Sequence, residues 1–74
     1  PMQRVLIIAT DGFEQSELTE PKRLLEEAGA QVTVASLKSG EIRGWDQKDW
    51  GTSVAVDCTI GDVSPDDYDA LLLP

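Results

Sequence analysis

The sequence predicts an open α/β domain built on a parallel sheet. Val5-Leu6-Ile7-Ile8-Ala9 is an unbroken apolar run with β-branched residues, and it does not alternate with polar ones. Such a run belongs to a strand buried on both faces, as the central strands of parallel sheets are. A helical stretch follows it, and Gln31-Val32-Thr33-Val34-Ala35-Ser36 then reads as a second strand at the interval a βαβ crossover needs. Asp69-Ala70-Leu71-Leu72-Leu73-Pro74 repeats the unbroken apolar pattern and gives a third buried strand.

Thr10-Asp11-Gly12 ends the first strand with turn chemistry. From Glu14 to Ala28, residues Leu18, Pro21, Leu25 and Ala28 fall at helical spacing on one face, with Leu24 beside them. Lys22, Arg23, Glu26 and Glu27 take the other face, and Gly29 suits the position just past the helix end. Pro21 is irregular there, because proline lacks a backbone donor and crowds the preceding turn; it predicts a distorted first turn or a late helix start. Leu37 to Gly51 reads as irregular, with Glu41-Ile42-Arg43 a candidate short strand. Thr52-Ser53-Val54-Ala55-Val56 alternates and reads as another short strand, antiparallel in character. Ser64-Pro65-Asp66-Asp67 has the form of a helix start, with a capping serine, proline at the first position and two carboxylates at the positive end of the dipole.

The 74 residues allow one domain at most. Three apolar strands and one substantial helix leave one face of the sheet uncovered, so residues 1–74 are expected to form the N-terminal part of a single domain that continues past Pro74. Hydrophobic residues make up 41% and charged residues 27% of the chain, an ordinary globular balance that argues against disorder. The net charge of −8 argues against nucleic-acid partners and anionic membranes. Cys58 is the single cysteine, which rules out an intrachain disulfide, and the run Val5–Ala9 is too short for a signal or a membrane span. A cytoplasmic location is the resulting expectation.

Open α/β sheets bind ligands beyond the carboxyl ends of their strands. Those ends are Thr10-Asp11-Gly12 and Pro74, and if their strands are neighbours the crevice between them is floored by the helix start, Phe13, Glu14, Gln15, Ser16 and Glu17. Carboxylates at a helix start also serve simply as partners of the dipole, and the residues alone do not choose between Glu14 and Glu17.

The run Arg4-Val5-Leu6-Ile7-Ile8, then Asp11-Gly12-Phe13-Glu14, Glu17-Leu18 and Pro21, resembles the opening of the ThiJ/PfpI superfamily. The likeness continues through Leu25 to Gly29, Val32-Thr33-Val34-Ala35-Ser36 and Asp67-Tyr68-Asp69-Ala70-Leu71-Leu72-Leu73-Pro74, and so covers essentially the whole chain. The resemblance implies a flavodoxin-like fold and a cysteine nucleophile on a tight strand-to-helix elbow. By alignment on the Phe-Glu-x-x-Glu-Leu pattern it makes Glu17 the catalytic carboxyl that hydrogen-bonds the nucleophilic sulfur, with Asp11 and Gly12 forming the supporting turn. A protonated carboxyl in that place holds a thiol pKa low, and burial in the crevice would keep the proton on it. The implied substrates are small carbonyl compounds or peptides, without a cofactor, and the implied assembly is a homo-oligomer. The rival reading is a non-enzymatic stress or chaperone-like protein on the same scaffold.

Two departures from the family pattern stand out. The chain contains no histidine, and Cys58 lies in Val56-Asp57-Cys58-Thr59, well before the family's nucleophile position and without a glycine-rich elbow. Cys58 therefore reads as a buried or half-buried small hydrophobe, and the nucleophile is expected outside these residues. Asp11, Glu14, Glu17 and Glu20 offer oxygen donors, but not at the spacing of a calcium loop, and no metal is expected. A phosphoacceptor domain would want an aspartate at the end of the third strand, where Leu73-Pro74 stands. Trp45 and Trp50 read as residues that pack their loop onto the domain or onto a partner subunit.

Overall fold

The computed structural model describes residues 2–74. Strand β1 (Arg4–Ile8) leads to helix α1 (Gln15–Glu27) and strand β2 (Gln31–Ser36). Strands β3 (Gly40–Asp46) and β4 (Asp49–Val56) follow, then the two-residue strand β5 (Cys58–Thr59). Two 3-10 turns, Ile60–Asp62 and Pro65–Asp67, lead to strand β6 (Ala70–Leu72). The main sheet is parallel throughout, in the order β5-β2-β1-β6, and β3 and β4 form a separate antiparallel pair.

The register explains the uninterrupted apolar run of β1. Ile7 pairs with Val34 on one side and Leu72 on the other, and these side chains share the face covered by α1. Ile7, Val34 and Leu18 of α1 are fully buried there, with Phe13, Ala9 and Ile42 completing the core. Leu6 pairs with Thr33 and Leu71, and this row lies on the opposite face. The segment around Ile60, Val63, Pro65 and Tyr68 closes part of that face and leaves an apolar groove over Leu6, Ile8 and Leu71. The third strand is therefore not the buried strand its composition predicts: Leu71 is 57% and Leu73 67% exposed, because β6 is an edge strand and no element of residues 2–74 packs over its outer face.

Helix α1 starts at Gln15, with Glu14 at the N-cap in extended conformation and without a side-chain cap. Pro21 lies inside the helix, which runs through it without a break rather than starting late. Gly29, at φ 93°, ends the helix in the left-handed conformation that glycine adopts at low cost. Lys22–Glu26, Arg23–Glu20 and Arg23–Glu27 pairs line the outer face, and the hydrogen bonds that Arg23 donates to Glu20 and then to Glu27 raise its pKa.

The segment 37–51, read from sequence as irregular, is instead most of a β-hairpin. Glu41-Ile42-Arg43 lies within β3, and Thr52–Val56 forms the antiparallel end of β4. The turn carries none of the usual glycine or asparagine signals. Gln47 takes the left-handed conformation at φ 60°, held by the Trp45 indole, whose Nε1 donates to Gln47 O at 2.9 Å. Trp45 and Trp50 pair across the strands edge to face, with ring centroids 5.4 Å apart, so each tryptophan packs first on the other. The Ser64–Asp67 segment likewise stops at one 3-10 turn: Tyr68 is already extended, because Asp69 must meet Arg4 and start β6.

Two aspartates fasten the strand entries. Asp69 N donates to Arg4 O at 2.7 Å while its carboxylate accepts from Arg4 N at 2.8 Å. Asp57 does the same to Val34 at 2.8 and 2.7 Å. In both places a side-chain oxygen replaces a backbone carbonyl and satisfies an edge N–H. Asp69→Ala is expected to destabilise the protein by about 1 kcal/mol in urea unfolding, and Asp69→Asn by less, because the amide oxygen remains an acceptor. Gln47→Gly is expected to raise stability by about 0.5–1 kcal/mol in the same assay, by removing the left-handed penalty at the turn.

Candidate functional site

Strands β1 and β6 are neighbours, so the crevice expected beyond their carboxyl ends exists. It is a cavity of about 350 Å³ with a largely apolar lining that includes Ile8, Ala9, Thr10, Phe13, Leu73 and Pro74. Phe13 is the helix-start residue that reaches it, and Glu17 is not part of its lining. Glu17 sits in the first turn of α1, where its N–H donates to Glu14 O at 3.0 Å. Its side chain is exposed and has no hydrogen-bond partner among the described residues. The burial expected of Glu17 is thus not provided within this chain, since the elements packed on the helix start, Phe13 inside and the hairpin beside it, leave its carboxylate uncovered.

The hairpin fixes the turn that precedes the helix. Asp11 Oδ1 accepts from Arg43 N at 2.8 Å, and Gly12 N donates to Arg43 O at 2.9 Å. Trp45 N donates to Phe13 O at 2.7 Å, and Glu14 bridges Trp45 in parallel. Asp11 and Gly12 thereby tie the end of β1 to β3 in the manner of a short strand pair. Gly12 has φ 86°, which a residue with a Cβ rarely adopts. Buried Gly44 lets the Phe13 ring approach: a Cβ there would lie 3.0 Å from Cε2. None of this hairpin contact was legible in the sequence, although Gly44 and Gly51 flanking the two tryptophans were its signal.

Cys58 is half-buried on β5, beside Ala35, as its sequence setting predicts. Glu20 is engaged by Arg23, and no cluster of three or more His, Cys, Asp or Glu side chains suited to a metal occurs among the described residues. No helix among them is long and apolar enough to cross a membrane.

The sequence profile of the DJ-1/PfpI family matches residues 3–74. The chain belongs to the DJ-1/PfpI family. Among its relatives, a deglycase of Thermococcus kodakarensis is 44% identical over 71 residues, covering 96% of this chain and 40% of the relative. Deglycase PfpI of Pyrococcus furiosus is 41% identical over 71 residues, with the same coverage. General stress protein 18 of Bacillus subtilis is 38% identical over 73 residues, covering 97% of this chain and 41% of that protein. The crystal structure of a ThiJ/PfpI domain protein from Brachyspira murdochii superposes with a TM-score of 0.84 at 23% identity, covering 99% of this chain and 41% of that one. That likeness shows the fold: this DJ-1/PfpI chain has the flavodoxin-like arrangement of a parallel sheet and its crossover helix. It spans about two fifths of the length of these relatives.

Gly44→Ala is expected to destabilise this DJ-1/PfpI chain by about 1–3 kcal/mol, because the added methyl group presses on the Phe13 ring in a packed core. Thermal unfolding of the variant checks it.

Proposed function

We propose that this chain carries the assisting carboxyl of a cysteine-dependent enzyme that acts on small carbonyl compounds, in the manner of a deglycase, or on the acyl groups of peptides. The observation that carries the reading is the place of Glu17 in the first turn of the helix that leaves β1, on a chain of the DJ-1/PfpI family. The nucleophilic cysteine comes from outside these residues, since Cys58 lies on β5 within the sheet and not on an elbow beyond a strand end. Asp11 and Gly12 support the turn. The names of the archaeal relatives favour carbonyl repair over peptide hydrolysis. A cytoplasmic homo-oligomer is part of the same reading, and sedimentation of the full-length protein checks the assembly.

The chemistry follows from the thiolate. A cysteine attacks a carbonyl carbon as the thiolate; in this reading the segment that carries the cysteine covers Glu17, and the carboxyl so covered donates a hydrogen bond that stabilises the anion and lowers the thiol pKa. A hydrogen bond to a charged group contributes about 1.5–3 kcal/mol, and one pKa unit corresponds to about 1.4 kcal/mol. Glu17→Ala in the full-length protein is therefore expected to raise the thiol pKa by about one to two units. The sign is upward, because the neutral thiol no longer competes with a stabilised anion. The rate of iodoacetamide alkylation against pH reads the shift, and consumption of methylglyoxal reads the activity. A full-length protein with no reactive thiol and no carbonyl turnover overturns the reading in favour of a non-enzymatic stress protein.

A further inference from the structure

The first turn of α1 is weakly held by its own helix. Glu14 at the N-cap contributes no side-chain cap, and only its backbone O serves the first turn, accepting from Glu17 N at 3.0 Å. Pro21 has no N–H to donate to Glu17 O, so the backbone bond that would normally fasten residue 17 to the second turn is missing. Leu18, fully buried, anchors the inner side of the turn. Something else must fix its outer side.

Gln15, the first residue of the helix, turns its side chain onto the hairpin. Its Oε1 accepts from Thr52 N at 2.7 Å. It lies in a notch made by two glycines of facing strands. A Cβ on Gly44 would stand 3.3 Å from Gln15 Cβ, and a Cβ on Gly51 would overlap Gln15 Oε1. Gly51 O also accepts from Arg43 Nε at 3.3 Å, which links both strands of the hairpin at the same place. The notch thus admits one acceptor atom, and any side chain at position 51 evicts it.

We propose that Gln15 is a positioning residue: seated in the Gly44–Gly51 notch, it holds the first turn of α1 against the β3–β4 hairpin and so fixes the direction of Glu17 toward the reacting thiol. This rests on the reading of Glu17 given above. Gln15 does not touch the reacting atoms. Releasing it loosens the turn between Glu14 and Leu18, while Asp11, Gly12 and Phe13 stay bonded to β3, and the Glu17 carboxyl then spends part of its time away from the sulfur.

Alkylation of the thiol against pH in the full-length protein tests this, with wild type, Q15A, G51A, Q15A/G51A and E17Q compared. Q15A and G51A are each expected to raise the thiol pKa by about half a unit to one unit, less than E17Q does. The double variant is expected to match Q15A, because with the outer atoms of residue 15 gone the methyl at 51 has nothing to evict. Thermal melting verifies that each variant is folded; should G51A fail to fold, Q15A alone decides. An unchanged pH profile in folded Q15A, with E17Q shifting it, overturns the positioning role and leaves the reading of Glu17 intact. An unchanged profile in E17Q removes both.

Discussion

Strand β1 is paired on both edges and covered at Ile7 on its helix face, and the rest of the fold is arranged to permit that. The buried middle of the strand, Val5 to Ile7, is closed to water, so its N–H and C=O groups must find partners in β2 or β6. Parallel pairing in turn forces long connections: α1 supplies the first, and the hairpin with the two 3-10 turns supplies the second. The carboxyl end of β1 then emerges beside that of β6, with the chain turning through Asp11 and Gly12 into α1. The location of the candidate site is a consequence of burying Val5, Leu6 and Ile7 completely enough to need two neighbours.

What the sequence made legible follows the same logic. Val5–Ala9 was legible as a buried strand because burial on both faces demands apolar residues without alternation, and Gln31–Ser36 was legible as a strand from its β-branched Val32, Thr33 and Val34 at the crossover interval. The helix was legible through the spacing of Leu18 and Leu25 and through Gly29, whose φ of 93° is the reason glycine stands there. Position 17 was identified by likeness to a family pattern; its setting was not legible, because nothing in Glu17 itself records that the hairpin packs beside it and leaves it open.

The hairpin was hidden for a physical reason. Its strands lie at the edge of the molecule and alternate imperfectly, with a register shift between Arg43 and Trp45. Its turn relies on Trp45 reaching back to Gln47 instead of on a residue suited to positive φ. Sequence rules weigh local propensity, while here a tertiary contact, glycine against Phe13 and Gln15, selects the conformation. The same holds for Ser64–Asp67, where helix-start chemistry is overruled by the need to bring Asp69 to Arg4.

The pairing of Asp69 with Arg4 spans 65 residues of chain. On the ribosome, β1 and β2 meet early, joined by one helix, whereas the other edge of β1 waits for residues 70–72 to emerge. Through that interval the nascent chain displays an apolar strand with an open row of donors and acceptors, the form most prone to pair with a neighbouring molecule. Synthesis order thus sets a window of vulnerability that closes only when β6 docks, and the carboxylate of Asp69, which binds the N–H of Arg4 at the strand entry, is the latch of that closure.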